Sequence, residues 1–187
     1  VCSSDLWKHP ERGMVSPGSF IPLAEETGLI VPMGLWLLDT AFEQLARWRL
    51  HHDVKMSVNL SPRQLETASI VDDIAHYLHR HALEPSVVTM ELTESEAVDL
   101  GSDCHRRLEA IRDLGVRIAA DDFGSGYASY AALGQLPYTG VKIDMSLVQS
   151  LGGDNSSRAE AQIRSMCDMA HSMGLSVVAE GVEGGEQ

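Results

Sequence analysis

Five short apolar runs, separated by longer segments with helical periodicity, constrain the fold of this chain more than any other feature. In chain order the runs are VKMSVNL, VVTMEL, VRIAADD, GVKID and LSVVAEG. Short apolar runs that alternate with helices are typical of a parallel sheet built from repeated strand–helix units. The sequence therefore predicts an α/β protein in which these runs are the strands.

The segments between the runs carry apolar residues on one helical face. The four stripes are Leu38, Phe42 and Leu45; Ile70, Val71, Ile74 and Leu78; Leu108, Ile111 and Leu114; and Ile163, Cys167 and Ala170. Two further helix starts are predicted at Ser16-Pro17 and Ser61-Pro62, because a hydroxyl can cap a helix whose first residue is proline. We expect Cys167 to pack in the core rather than to react.

Composition limits the class of protein and its partners. The 187 residues suffice for one core and contain no low-complexity tract, which predicts a single domain over residues 1–187. A net charge of −13 argues against DNA, RNA or an anionic membrane as the main partner. Three widely spaced cysteines indicate reduced thiols and a cytoplasmic location. No apolar run is long enough to span a membrane, although a longer parent protein could carry an anchor.

Polar residues recur near the carboxyl end of each predicted strand. They are Asn59, Glu91, Asp121, Asp122, Lys142 and Glu180. The separations range from 21 residues (Asp121 to Lys142) to 38 residues (Lys142 to Glu180), about the length that one strand–helix unit needs to return to the same rim. In a (β/α) barrel, that rim carries the active site.

The carboxylates at this rim have two interpretations. A single acidic residue after a strand often stabilises the start of the next helix, and this explains Glu94 or Glu96 alone. Several carboxylates that converge repel one another unless cations neutralise them. Oxygen ligands suit Mg²⁺ or Mn²⁺, and two ions would account for Asp121 beside Asp122. Such a site can hydrolyse phosphodiesters, with a lysine nearby to orient the nucleophile.

The histidines bear on a rival hypothesis, a different type of metallohydrolase. They lie on or beside predicted helices, away from the strand ends; the group comprises His51, His52, His76, His79 and His81. We therefore expect most of them to lie on solvated helix faces.

Six segments together resemble the EAL domain, the bacterial cyclic-di-GMP phosphodiesterase. They are HPERGMVSPGSFIPLAEETGLI, SVNLS, ELTES, DDFGSGYAS, KID and VVAEGVE, in the order and approximate spacing of the family. The resemblance implies a TIM-like (β/α) barrel that hydrolyses cyclic di-GMP to linear pGpG with two Mg²⁺ or Mn²⁺ ions. It also implies a homodimer formed through the region of the fifth-strand loop, and a parent protein with fused sensor or diguanylate cyclase domains.

Matching motifs assign roles to individual residues, whereas no substrate-binding residue is assigned. By resemblance, the metal ligands are Asn59, Glu91, Asp121 and Asp122. Lys142 resembles the lysine that orients the attacking water, and Glu180 resembles the glutamate that binds or deprotonates that water. Glu94 resembles the residue that holds the DFGSGY loop in place.

The chain departs from the family pattern at both ends. When Trp7 is aligned with the family signature, Cys2 stands where a metal-binding Glu belongs, and we hypothesise that residues 1–6 are a junction or read-through error. At the other end, the family continues beyond EGVE with a further helix and strand. The expected fold is thus an incomplete barrel whose first and last strands are missing or altered, with reduced stability and low or absent hydrolysis. A degenerate EAL domain that binds without hydrolysis, and a barrel without this ligand, are the alternatives.

Overall fold

A five-stranded parallel sheet with helices on one face forms the centre of the structure, a computed structural model that describes residues 7–93, 101–124, 130–152 and 156–184. Two short strands precede the sheet, β1 (Trp7–His9) and β2 (Gly13–Val15). The sheet strands, adjacent in chain order, are β3 (Met56–Asn59), β4 (Val88–Thr93), β5 (Arg117–Phe123), β6 (Gly140–Ile143) and β7 (Ser176–Ala179). All five predicted strands are confirmed.

Eight helices lie in the described ranges. They are α1 (Pro17–Thr27), α2 (Ile30–Arg49), α3 (Pro62–Leu65), α4 (Ile70–Arg80), α5 (Ser102–Asp113), α6 (Tyr130–Gln135), α7 (Met145–Gln149) and α8 (Ser156–Ser172). Each strand from β3 to β6 is followed by at least one helix, so the architecture is that of an incomplete TIM-like barrel. Strands β3 to β7 form an open sheet, and β1 and β2 pair separately. None of these helices combines the length and apolarity needed to cross a lipid bilayer.

The two faces of the sheet differ in chemistry because successive side chains of a strand point to opposite sides. On one face, strand residues such as Met90, Ile118 and Val141 are fully buried in the core. On the other face, the register aligns Asn59 with Glu91 and places mostly polar side chains along the strands. The polar face would be the inside of a complete barrel, and its carboxyl end is the predicted rim.

The helical stripes provide the other half of the core. Phe42 and Leu45 of α2 are completely buried, as are Ile74 of α4 and Leu108 of α5. The stripe on α8 is weaker, because Cys167 is only partly buried. The expected core packing of this cysteine is therefore only partial.

One local expectation needs correction, and one histidine is an exception to the solvated positions at which His51, His52, His76 and His79 lie. Ser16 precedes α1 as predicted, but its side chain makes no capping hydrogen bond to the described residues, whereas Ser61 caps α3 fully. His81 is not solvated: its Nε2 lies 2.6 Å from Asp39 Oδ1 and its side chain is 12% exposed. Asp39 also accepts a hydrogen bond from Arg80, so this histidine joins α4 to α2. Its role is structural packing rather than metal binding.

The hairpin formed by β1 and β2 was not predicted from the sequence. Strands of three residues are too short to show a period of two. His9 stabilises the turn, since its Nδ1 accepts hydrogen bonds from the backbone N–H groups of Glu11 and Arg12. Trp7 then stacks edge-to-face on Phe20 of α1, with ring centroids 5.7 Å apart. The hairpin is thereby attached to the first helix.

We expect Gly140→Ala to destabilise the protein by about 1–3 kcal/mol, the usual cost of overpacking. A Cβ at Gly140 would overlap the Ser176 hydroxyl and lie 3.0 Å from the Ser176 carbonyl oxygen, so β6 and β7 would have to separate. Gly134→Ala is the control, because among the described residues a Cβ there would meet only Met173 Cε, at 4.0 Å. Urea unfolding measures both; equal effects would contradict this account of the strand pair.

Candidate metal centre

Lys142 of β6 joins three carboxylates at the carboxyl end of the sheet. Its Nζ lies 2.8 Å from Glu91 Oε2 of β4, 2.7 Å from Asp121 Oδ1 of β5 and 2.7 Å from Glu180 Oε1, directly after β7. The lysine side chain is 16% exposed, so it is largely withdrawn from water. Four strands thus converge on one ammonium group.

This environment changes the protonation equilibrium of Lys142. Burial by itself lowers the pKa of an ammonium group, but hydrogen bonds from Nζ to Asp121, Glu180 and Glu91 outweigh it and raise the pKa of Lys142 above its ordinary value. The side chain is therefore charged at neutral pH. A charged lysine offsets part of the repulsion between the carboxylates around it.

A β-bulge explains how two adjacent aspartates reach the same site. Between the pairs Ala120–Val141 and Phe123–Ile143, β5 has two residues, Asp121 and Asp122, whereas β6 has only Lys142. In a regular strand, neighbouring side chains point to opposite faces. The bulge breaks this alternation, and Asp122 adopts a left-handed backbone with φ +54°, which Asp tolerates better than most residues.

Asp121, Asp122 and Glu180 form an acidic cluster. One carboxylate oxygen from each lies within 4.8 Å of the others, a separation that fits a shared metal ion. Burial, followed by repulsion from Asp121, Asp144 and Glu180, raises the pKa of Asp122 above its ordinary value. Ionisation of Asp122 therefore costs more free energy than ionisation of an exposed aspartate, and a cation would offset this cost.

Asp144 belongs to this site, although the sequence analysis overlooked it. It directly precedes α7, where its carboxylate accepts a hydrogen bond from the backbone N–H of Ser146 at 2.9 Å. Its own backbone N–H donates to Phe123 O at 3.2 Å, which brings it beside the bulge. The signal was present in KID, but an aspartate before a helix is explained equally well as a simple cap.

The donor set fits divalent cations. Four carboxylates surround the bulge and Lys142, those of Glu91, Asp121, Asp122 and Glu180, and Asp144 adds a fifth. With one ammonium group, the formal charge of the site is −4, which two divalent ions would balance. Carboxylate oxygens are the ligands that Mg²⁺ and Mn²⁺ prefer. The arrangement can therefore hold hard metal ions next to a charged lysine.

The remaining site residues differ in how closely they join this cluster. Asn59 ends β3 beside Glu91, but it is exposed, and no hydrogen bond joins its side chain to another described side chain. Glu94 and Cys2 lie outside the described residues, so their expected roles stay predictions. The structure thus brings Glu91, Asp121, Asp122, Lys142 and Glu180 together, with Asn59 on the adjoining stretch of the same rim.

Comparison with known sequences connects this geometry to a protein family. A sequence model described as the EAL domain matches residues 6–187. The bifunctional diguanylate cyclase/cyclic di-GMP phosphodiesterase MucR of Pseudomonas aeruginosa is 41% identical over 179 residues, which cover 95% of this chain and 26% of MucR. The cyclic di-GMP phosphodiesterase PA2567 of the same organism is 35% identical over 178 residues, 95% of this chain and 30% of that protein. The chain thus spans less than a third of these relatives.

Comparison with solved structures gives the same relationship. The structure described as PaMucR phosphodiesterase in complex with c-di-GMP has a TM-score of 0.85 at 41% identity, covering 96% of this chain and 73% of that one. The structure of the EAL enzyme Bd1971 with cAMP and cyclic di-GMP bound has a TM-score of 0.87 at 32% identity. The match covers 97% of this chain and 50% of the Bd1971 chain.

Proposed function

The chain belongs to the EAL domain family, and from this premise we propose that it is a phosphodiesterase domain that hydrolyses cyclic di-GMP to linear pGpG with two divalent ions. The observation that carries the proposal is the convergence of Glu91, Asp121 and Glu180 on Lys142, with Asp122 brought to the same rim by a bulge. The similarity to MucR and PA2567, both named as cyclic di-GMP phosphodiesterases, supports the choice of substrate.

We assign the metal-binding role to Asn59, Glu91, Asp121 and Asp122. These residues would hold Mg²⁺ or Mn²⁺, which when bound would supply an acidified water and offset negative charge on the departing oxygen of a phosphodiester. The four proposed ligands come from three neighbouring strands, so the parallel register sets their spacing. The rigid sheet holds them in place before a ligand arrives, which is the preorganisation that catalysis requires.

We assign the chemistry of the attacking water to Lys142 and Glu180. Lys142 donates hydrogen bonds and remains charged, so it orients the water and stabilises negative charge on the phosphate. Glu180 lies at the edge of the cluster with its side chain 27% exposed, and its carboxylate accepts the proton of the water. The reaction breaks one P–O3′ bond, leaving a 3′-hydroxyl and a 5′-phosphate.

The wider context of the domain is proposed from the relatives. MucR is named as bifunctional, which supports a parent protein with a fused diguanylate cyclase or sensor domain. We propose that residues 1–187 form one domain, that it acts in the cytoplasm, and that it forms a homodimer through the fifth-strand loop region. We propose that Glu94 holds that loop; Glu94 and residues 125–129 of the loop lie outside the described residues.

One observation favours a second function, a receptor that binds cyclic di-GMP without hydrolysing it. Aligned on Trp7, the sequence has Cys2 where the family has a metal-binding glutamate. A thiol is a poorer ligand than a carboxylate for Mg²⁺. Loss of one ligand would weaken the metal site while the rest of the rim persists.

Measurements of nucleotide binding and of turnover distinguish the phosphodiesterase from the receptor. We expect calorimetry to detect binding of cyclic di-GMP in Ca²⁺. When Mg²⁺ or Mn²⁺ replaces Ca²⁺ we expect pGpG to be released only slowly, because Cys2 stands where the family has a metal-binding glutamate. Glu180→Gln should bind the nucleotide but lower kcat by about 10²–10⁴, because it removes the proton acceptor. Glu109→Gln, at an exposed position of α5, is the control and should change neither binding nor kcat. Binding without pGpG formation would identify a receptor, and absence of binding would contradict both functions.

A further inference from the structure

The segment that carries Asn59 is held by a polar network that the catalytic assignment does not use. Ser61, two residues after Asn59, donates a hydrogen bond from its Oγ to Glu25 Oε1 at 2.6 Å. Its backbone N–H donates to Gln64 Oε1 at 3.1 Å. We call these contacts the Glu25–Ser61–Gln64 network; it joins α1, α3 and the end of β3.

The hydroxyl of Ser61 is fixed in both its hydrogen-bonding roles. It donates to Glu25 and also accepts from the backbone N–H of Arg63 at 3.2 Å. A hydroxyl that donates and accepts at once has little freedom to rotate. The bond to Glu25 is short, as expected when a carboxylate accepts from a hydroxyl.

Helix capping alone does not explain the contact with Glu25. The start of α3 is already satisfied by the capping box of Ser61 and Gln64. Glu25 adds a bond across 36 residues of chain that a helix of four residues does not require. Its effect is to tie the segment after β3 to α1.

Gly34 of α2 makes room for the network from the other side. Gln64 is a buried polar residue, 4% exposed. A Cβ at Gly34 would overlap the Gln64 amide nitrogen and lie 2.6 Å from its Cδ, so the amide would have to move. Movement of that amide would break its bond to Ser61.

Asn59 depends on its backbone for its position. The side chain is exposed, and none of the described side chains holds it by a hydrogen bond. The following residue, Leu60, is buried and donates its N–H to Glu91 O at 2.8 Å. The backbone of Asn59 is therefore fixed by β4 on one side and by the Glu25–Ser61–Gln64 network on the other.

We propose that Glu25 and Gln64 are positioning residues, which act through Ser61 to hold Asn59 where it can ligate a divalent ion. The inference rests on the function proposed above. Neither residue needs to touch the metal or the nucleotide. Groups that orient a metal ligand commonly change metal affinity by 10-fold or more when removed, so the effect is measurable in the absence of turnover.

The test is Mn²⁺ binding by calorimetry, with cyclic di-GMP absent, alongside the melting temperature of the metal-free protein. We expect Glu25→Ala to raise the Mn²⁺ dissociation constant about tenfold. Glu25→Gln keeps an oxygen acceptor for Ser61 and should restore affinity to within about twofold of wild type. Glu26→Ala removes the same charge from an exposed position of α1 and should leave the affinity unchanged. A general loss of stability would not produce this pattern of rescue.

If Glu25→Ala does not fold, Gly34→Ala provides the test instead. This substitution displaces the Gln64 amide from the side of α2, and we expect a similar loss of Mn²⁺ affinity. Wild-type affinity in the folded variants, or equal losses in Glu25→Ala and Glu26→Ala, would overturn the inference and leave the proposed function intact. A wild-type protein that binds neither Mn²⁺ nor cyclic di-GMP would overturn the proposed function and this inference with it.

Discussion

Replacement of Lys142 by Met should lower kcat for cyclic di-GMP hydrolysis by about 10³ and destabilise the metal-free protein by about 2 kcal/mol. The methionine keeps the length of the side chain but removes its charge. Glu91, Asp121 and Glu180 then face one another at the end of the sheet with no ammonium group between them. The stability loss is smaller than for a fully buried ion pair, because solvent reaches the lysine side chain.

Divalent ions should partly reverse the stability loss in Lys142→Met. They bring positive charge to the same carboxylates, so Mn²⁺ should raise the melting temperature of the variant more than that of wild type. Lys55→Met, at an exposed position before β3, is the control and should change neither quantity. Differential scanning calorimetry with and without Mn²⁺ gives the stabilities, and pGpG release gives kcat. A variant with wild-type kcat would show that Lys142 only balances charge.

Sequence patterning accounted for the sheet because apolar runs and helical stripes follow directly from burial. Met90 and Val141 lie on the buried face as the strand pattern requires, and Phe42 and Leu108 lie on helix faces that a period of 3.6 selects. The convergence at one rim also followed from topology, since parallel strands end on the same side. What the pattern could not supply was the side-chain geometry at that rim.

The bulge is the clearest example of that limit. A period of two places Asp121 and Asp122 on opposite faces, and only an extra residue in β5 brings both to the site. Local propensity allows a left-handed Asp122 but does not require it. The expectation that both aspartates bind metal ions came from the resemblance to a family. The structure adds the backbone geometry, a bulge, that brings both side chains to one site.

Contacts between distant segments were also beyond sequence reasoning. Glu25 and Ser61 lie 36 residues apart, and nothing in either local pattern marks them as partners. Asp144 resembles an ordinary helix cap until the fold places it beside Asp122. Such pairs arise from how helices pack on the sheet, which single-sequence periodicity does not encode.

Burial of Asp122 among other carboxylates lowers the stability of the metal-free protein, although the same carboxylates favour metal binding. The raised pKa of Asp122 means that the folded protein binds a proton at this carboxylate more tightly than the unfolded chain does. Stability from this group is therefore greatest at low pH and is lost as the pH rises from the ordinary value of 3.8 through the raised pKa. At neutral pH the ionised carboxylate destabilises the metal-free fold.

Asp122→Asn should therefore stabilise the metal-free protein at pH 7, by about 1 kcal/mol, the usual size of a favourable charge substitution. Asparagine also tolerates the left-handed backbone, so the bulge should persist. The same change removes a charged ligand and should weaken Mn²⁺ binding by on the order of 100-fold. Because a ligand stabilises the folded state by an amount that grows with the logarithm of its concentration divided by its dissociation constant, plots of melting temperature against Mn²⁺ concentration should cross.

Crossing of the two melting-temperature plots distinguishes a metal ligand from a carboxylate that only destabilises the fold. Without metal the variant should melt higher, and its advantage should shrink as the pH falls through the raised pKa of Asp122. At saturating Mn²⁺ the wild type should melt higher, since only its site retains the full set of carboxylates. Asp168→Asn, on the exposed face of α8, should leave both plots unchanged. If melting temperature rises with Mn²⁺ concentration equally in Asp122→Asn and wild type, Asp122 is not a metal ligand. The bulge would then play no part in metal binding.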